Sequence, residues 1–143
     1  MTTKKLIEQV LEKWEFPILQ SVDNSVLFRY QMSYIQANAT DNDDSRSVTL
    51  SLSGFFTADN EKELLLCLHA CNDINHNLIH VKAYVDSDSA LMISSEFFFK
   101  TEDDFEHLMN MSLHTMITAK RRFAIKYEEL EAESKLISEL EEE

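Results

Sequence analysis

The spacing of apolar residues along the chain predicts eight regular elements. Helical spacing occurs in residues 3–14, in residues 64–75 and from residue 102 onward. Strand-like alternation or short apolar runs occur in residues 16–22, 26–35, 47–56, 78–85 and 90–99. The predicted order is α-β-β-β-α-β-β-α. We therefore expect an α+β fold with one antiparallel five-stranded sheet, packed with helices and followed by a long C-terminal helix.

The strands differ in how clearly they define a buried face. Residues 26–35 alternate throughout and are predicted as one long strand, followed by a polar loop over residues 38–45. In residues 78–85 we expect Ile79 and Ala83 to be buried and Tyr84 to point outward. In residues 97–99, three consecutive Phe leave the buried face undecided. An apolar side left exposed there is typical of a partner surface.

The last helix is long for a domain of this size. Thr101 followed by Asp104 is a capping-box pattern, and neither Gly nor Pro interrupts the apolar spacing beyond it. A helix of some forty residues is about 60 Å long, against a radius of gyration of about 14–15 Å for the domain. Its last turns must overhang, fray or meet another subunit. We divide the chain into one domain, residues 1–127, and a Glu-rich helical extension, residues 128–143.

Composition and charge exclude several classes of function. With Gly54 as its single glycine, the chain cannot form a glycine-rich phosphate-binding loop. The formal net charge is −13, and residues 128–143 contribute eight Glu and one Lys. Because nucleic-acid binding requires clustered Lys and Arg, we expect no nucleic-acid partner. No apolar run reaches the length of a membrane span and no signal peptide is visible, so we expect no membrane association and a cytoplasmic location.

The chemically versatile side chains lack the spacing of a catalytic or metal site. Cys67 and Cys71 share one side of a helix while His69 points away, so core packing explains the cysteines. Glu96 has no partner acid or nucleophile at readable spacing, and pairing with Lys82 across the hairpin explains it. We predict no catalytic residue, no metal site and no cofactor.

Asparagines mark the end of the second predicted helix. Asn75 or Asn77 can cap that end in the left-handed conformation that Asn tolerates. Alternatively, the Asn75 side chain bonds the loop that precedes the next strand.

Three segments carry a resemblance to a known family. Residues 71–75 contain Asn72-Asp73-Ile74-Asn75, residues 81–86 read Val-Lys-Ala-Tyr-Val-Asp, and residues 91–97 end in Glu96-Phe97. This order resembles the YbjN-like family over residues 3–127, although the family often has Gly in the closing hairpin. The resemblance implies the fold of type III secretion chaperones and a bacterial origin. Those chaperones are small acidic cytoplasmic homodimers that hold extended segments of partner proteins, and no catalytic residue transfers.

We therefore interpret the chain as a non-enzymatic protein-interaction module, a chaperone-like or regulatory homodimer that binds a segment of another protein. One alternative is a small-ligand binder or enzyme with a pocket near the closing hairpin, formed by Glu96, His80 or Tyr84. Another is an acidic mimic of nucleic acid. The residues predicted for the partner or dimer surface are Phe97, Phe99, Tyr84, Met109, Met116 and Phe123.

Overall fold

A computed structural model describes residues 1–142 as three helices and six strands. The helices are α1 (Thr3–Lys13), α2 (Glu61–Asn77) and α3 (Glu102–Glu141). The strands are β1 (Ile18–Val22), β2 (Ser25–Tyr30), β3 (Ser33–Asp41), β4 (Arg46–Leu52), β5 (Lys82–Val85) and β6 (Leu91–Phe99). The α+β class and the long C-terminal helix are as predicted.

The six strands form one sheet in the order β1-β2-β3-β4-β6-β5, and every neighbouring pair is antiparallel. Every second side chain along the strands points from one face of the sheet into the core, where α1 and α3 pack on it. The opposite face carries the intervening residues and has no helix packed on it among the described residues. The sheet is therefore covered on one side only, as antiparallel sheets commonly are.

The predicted strand over residues 26–35 is wrong, because it is a hairpin of two strands. Gln31 and Met32 form the two-residue turn between β2 and β3, with φ angles of 45° and 65°. Positive φ at both positions is the geometry that matches the twist of a tight hairpin. The turn also reverses the alternation, so Ile35 is buried and Tyr34 is exposed. The sheet consequently has six strands rather than five.

The first two helices begin where short polar side chains bond their backbone. The Thr2 hydroxyl accepts a hydrogen bond from the Lys5 amide at 3.3 Å and so caps α1. Helix α2 is capped by Asn60, whose Oδ1 accepts from the Glu63 amide at 2.9 Å.

Helix α3 runs through 40 residues, as its uninterrupted apolar spacing predicts. Its Thr101 hydroxyl bonds the Asp104 carboxylate at 3.1 Å and makes no side-chain bond to the helix backbone, so the capping-box pattern is only partly realised. Phe105 to Phe123 supply its buried side chains. Beyond Leu130, which packs partly against the core, the apolar side chains of the helix are exposed.

The segment before β6 is a short strand preceded by an irregular connection. Residues 78–85 were predicted as one strand, but β5 begins only at Lys82. Ala83 is buried as expected, whereas Ile79 is 86% exposed and its predicted burial is wrong. His80 has a φ of 67°, so the chain turns there and the period-two pattern does not extend back to Ile79.

Candidate partner surface

The uncovered face of the sheet is a continuous surface that no helix of the described chain covers. Cross-strand register places on it the residues that alternate with the core positions. They are Ser25, Leu27, Arg29, Tyr34, Gln36, Asn38, Ser47, Thr49, Ser51, Lys82, Tyr84, Met92, Ser94, Glu96 and Phe98. We call this set the open face.

Three aromatic side chains lie toward the margins of the open face. Phe98 of β6 is 70% exposed, Tyr34 of β3 is 56% exposed and Tyr84 of β5 is 44% exposed. Exposed aromatic residues present rigid apolar area with a small conformational-entropy cost on contact, which suits them to binding. Their separation across four strands means that no small molecule contacts all three at once.

The centre of the open face is polar and bonded within itself. The Ser25 hydroxyl donates a hydrogen bond to the side-chain oxygen Oδ1 of Asn38 across β2 and β3, and Gln36 Nε2 donates to the same oxygen at 3.3 Å. Glu96 stands opposite Thr49 and forms an ion pair with Lys82 at 3.5 Å, which is the pairing expected from the sequence. The uncharged side chains of this centre are Ser25, Gln36, Asn38 and Thr49. Their amides and hydroxyls can donate hydrogen bonds to a polypeptide backbone and accept hydrogen bonds from it.

Two cavities lie at the end of the open face near the closing hairpin, as the small-ligand alternative requires. A cavity of about 470 Å³ is lined in part by Glu96 and Tyr84, and one of about 280 Å³ by Glu96 and His80. Both are open to solvent, and the Glu96 carboxylate faces Lys82 rather than a nucleophile or a second acid. Glu96 and His80 both line the smaller cavity, but among residues 1–142 no hydrogen bond joins their side chains, so the acid–base pair that hydrolytic or transfer chemistry uses is not assembled there.

Asn75 seals the β5 edge of the sheet. Its side-chain nitrogen donates to the Ala83 carbonyl at 2.9 Å, and its oxygen accepts from the Ala83 amide at 2.8 Å. Asn75 therefore occupies the outward N–H and C=O of Ala83, which an additional strand would bond at this position. Its side chain bonds the strand itself, and it neither caps α2 nor bonds the preceding loop. The other edge, β1, is mostly exposed, including Leu19 and Val22.

Most residues predicted for the partner or dimer surface lie in the core of the chain. Tyr84 is the one exposed member. The five that are buried are Phe97, Phe99, Met109, Met116 and Phe123. They are core residues because β6 and α3 pack directly against each other, with the Phe99 and Phe105 ring centres 5.0 Å apart. The exposed aromatic residue of the strand is Phe98, which is not among the six residues predicted for the partner or dimer surface.

The position of Phe98 was readable from its neighbour Glu96. Side chains two apart on a strand share a face, and a charged residue marks the solvent side. Counting from Glu96 places Phe98 outward and Phe97 and Phe99 inward, as the structure has them.

The two cysteines lie in the core beside one another. Cys67 and Cys71 are buried free thiols on α2. Contact with Cys67 and burial raise the pKa of Cys71 far above its usual range, so this thiol stays protonated. Among residues 1–142, no three His, Cys, Asp or Glu side chains come together as metal ligands. Within the same part of the chain, no helix is both long and apolar enough to cross a bilayer.

An ion pair fixes α2 against α3. Arg122 donates to both carboxylate oxygens of Asp73, with distances of 2.7 and 3.2 Å. This hydrogen-bonded contact lowers the pKa of the Asp73 carboxyl below its ordinary value and raises the pKa of the Arg122 guanidinium. The two groups line a surface cavity of about 430 Å³ together with Ile125, Lys126 and Glu129 among others.

These features define a class of small α+β domains in which helices cover one face of an antiparallel sheet. YbjN of Escherichia coli, described as a proposed transcription regulator, shares this fold at 12% identity and a TM-score of 0.53, covering 91% of this chain and 92% of YbjN. An uncharacterised protein of Methanothermobacter thermautotrophicus shares it at 12% identity and a TM-score of 0.61, covering 88% of this chain and 96% of that protein. The type III secretion chaperone SycH of Yersinia pestis, in complex with a fragment of YscM2, shares it at 9% identity and a TM-score of 0.50, covering 81% of this chain and 98% of SycH.

The predicted YbjN-like and type III secretion chaperone-like fold is thereby confirmed. No protein-family model matches the sequence, and no curated protein sequence matches it. At these identities the likeness concerns the fold.

Proposed function

We propose that the protein is a non-enzymatic interaction module, chaperone-like or regulatory, whose open face binds an extended segment of another protein. The observation that carries this proposal is the uncovered sheet face, with exposed Tyr34, Tyr84 and Phe98 around a polar centre. Aromatic side chains are enriched at protein–protein interfaces, where they supply most of the contact energy. The proposed partner is a polypeptide because the aromatic positions are too widely spaced for a small ligand.

The spacing of the aromatic residues can be estimated from strand geometry. Tyr34 and Tyr84 lie on β3 and β5, three strand spacings apart, or about 14 Å. Met92 on β6 is the register partner of Tyr84, and Phe98 lies six residues further along β6, or about 20 Å away. An extended chain advances about 3.3 Å per residue, so five or six residues span these distances. The polar side chains between the aromatic residues can then bond the backbone of the segment.

The structural neighbours favour the same class of function. SycH was solved as a chaperone in complex with a fragment of another protein, and YbjN is described as a proposed regulator. Neither is described as an enzyme. The pairing of Glu96 with Lys82 also favours a binding role over catalysis. We further propose that the protein works in the cytoplasm, which its two free thiols favour, and that it forms a homodimer.

A peptide selection on the full-length chain tests the proposal. A library of random 12-residue peptides is panned against the immobilised protein, and affinities of the recovered peptides are measured by fluorescence anisotropy. We expect Phe98→Ser and Tyr84→Ser each to weaken binding about tenfold or more, as loss of an aromatic contact residue does. Met32→Ser is the matched control, because Met32 is 93% exposed at the hairpin tip outside the open face.

Two results would contradict the proposal. One is a selection that recovers no peptide above the background of an unrelated acidic protein. The other is an equal loss of affinity in the Met32 variant, which would show that the peptides adhere to any exposed apolar side chain. Circular dichroism of each variant establishes that the sheet is intact.

A further inference from the structure

The C-terminal half of α3 has a second apolar stripe on the side away from the core. Ile125, Leu136 and Leu140 are 61%, 58% and 63% exposed. At 100° per residue they fall within about 60° of one another around the helix axis. Ala132, which lies between them in the sequence, falls about 20° to one side of Ile125, whereas buried Phe123 lies about 160° from Ile125. None of these three side chains packs on the core, so the stripe is available to another helix.

Charge along the same helix changes sign midway. Residues 118–126 contain four cations and no acid, whereas residues 128–142 contain seven Glu and one Lys. Arg122 is held by Asp73, and Lys120 donates to the Ser33 hydroxyl at 2.8 Å. Arg121 and Lys126 line the cavity beside Ile125. The exposed stripe is therefore basic at its beginning and acidic at its end.

We propose that a second copy of this chain packs antiparallel along the stripe, with the twofold axis near Glu129. This inference rests on the homodimer of the proposed function and names its interface. Antiparallel pairing about residue 129 places residues 118–126 of one copy beside residues 132–140 of the other. Arg121 and Lys126 of one copy then lie beside Glu139 and Glu133 of the other, and the apolar side chains of the stripe lie between the helices.

Charge selects this arrangement over the other simple ones. Parallel pairing of the same stripe sets Arg121 and Lys126 against the same two cations of the other copy and the Glu-rich segment against itself, which like-charge repulsion opposes. A foreign basic helix matches the acidic end but leaves Arg121 and Lys126 facing cations. Only antiparallel self-pairing satisfies both ends with one sequence, and it is the self-complementary contact that a twofold axis requires.

Disulfide trapping of the full-length chain tests the register and direction. Under mild oxidation we expect Glu129→Cys to form a covalent dimer on its own, because position 129 lies on the axis. Thr118→Cys and Leu140→Cys are each expected to remain uncrosslinked alone and to crosslink when the two variants are mixed. The wild-type chain is the control for Cys67 and Cys71, which are buried.

Substitutions test the energetics of the same interface by light scattering and sedimentation. Leu136→Glu is expected to weaken self-association at least tenfold, with Ile79→Glu as the control at a still more exposed apolar position elsewhere. In the proposed register Arg121 lies beside Glu139 of the second copy, because both residues project about 40° to the same side of Ile125. Arg121→Glu therefore weakens the dimer severalfold, and adding Glu139→Arg restores it.

The outcomes separate this inference from the proposed function. Self-crosslinking of both Thr118→Cys and Leu140→Cys indicates parallel pairing and overturns the inference. A dimeric mass with no crosslink at position 129 also overturns it, while leaving the proposed homodimer in place. A mass of 16.6 kDa at high micromolar concentration overturns the inference and the homodimer together. Segment binding on the open face is decided separately by the peptide selection.

Discussion

At the scale of single residues, Asn75 has the clearest structural role. Its amide makes two hydrogen bonds with the backbone of Ala83 at the sheet edge. We expect Asn75→Ala to lower the free energy of unfolding by about 1–3 kcal/mol, because two bonds are lost and a backbone pair is left without a protein partner. Urea denaturation followed by circular dichroism measures this difference.

The control for this prediction is Asn72→Ala on the same helix. Asn72 is exposed, and its loss is expected to change the free energy of unfolding by less than about 0.5 kcal/mol. An Asn75 variant no less stable than the Asn72 variant would show that water replaces the edge contact at no cost.

The Asp73–Arg122 pair predicts a dependence of stability on pH. Contact with Arg122 depresses the pKa of Asp73 in the folded state below that of the unfolded chain. Its contribution is therefore fully present above the ordinary Asp pKa of about 4 and is lost as the pH falls through the lower folded value. We expect the stability difference between wild type and Arg122→Met to be constant from pH 7 to 5 and to shrink below about pH 4.

Urea titrations at fixed pH values between 3 and 7 measure that difference. Lys62→Met, at an exposed position on α2, serves as the control and is expected to show no such shrinkage. A difference between wild type and Arg122→Met that stays constant down to pH 3 would mean that Asp73 ionises alike in the folded and unfolded chains.

At the scale of elements, the β2–β3 hairpin has a turn that its sequence suits poorly. Gln31 and Met32 both have positive φ, which costs energy for residues that carry a Cβ. Replacing them with Asn and Gly, the residues preferred in this turn, is expected to raise the free energy of unfolding by about 0.5–1 kcal/mol or more. Thermal and urea unfolding of Gln31→Asn/Met32→Gly measure the gain.

Met32→Ala is the control for the hairpin prediction, because it removes the exposed side chain but retains a Cβ. We expect no gain in stability from it. If it stabilises the chain as much as the Asn-Gly pair, the benefit comes from removing an exposed apolar side chain rather than from backbone conformation.

The same hairpin shows why part of the fold could not be predicted. Helix α3 was predictable because its apolar spacing runs without Gly or Pro from Phe105 onward. The turn was not, since neither Gln31 nor Met32 is a turn-forming residue and alternation continues on both sides of it. A two-residue turn reverses which positions face inward. A single strand over residues 26–35 would place Tyr34 on the same face as buried Val26, whereas Tyr34 is exposed.

At the scale of the whole molecule, the partner surface was harder to predict than the fold. Alternation tells which residues share a face, but which face the helices cover depends on packing between distant elements. Phe97 and Phe99 are aromatic and close in sequence to Phe98, yet they contact Phe105 of α3 while Phe98 is exposed. Large apolar side chains are usually buried in the core. A choice of surface residues by hydrophobicity alone therefore selects mostly core residues.

The predicted boundary between domain and extension is also a whole-molecule property. A chain that ends at Leu130 retains Tyr127, whose ring centre lies 4.9 Å from that of Phe56, and loses six Glu and one Lys. We expect its free energy of unfolding to stay within about 1 kcal/mol of the wild-type value in dilute solution, since none of the removed side chains at positions 131–142 is fully buried. Self-association should disappear in the same variant, because Leu136 and Leu140 are gone.

A chain that ends at Ile125 provides the contrast. It lacks Tyr127 and Leu130, which pack against the core, and we expect it to lose at least about 2 kcal/mol of stability. Urea unfolding at low micromolar concentration compares the two truncations, and light scattering at high concentration follows their mass. If ending at Leu130 destabilises the fold as much as ending at Ile125, the Glu-rich segment belongs to the domain rather than extending from it.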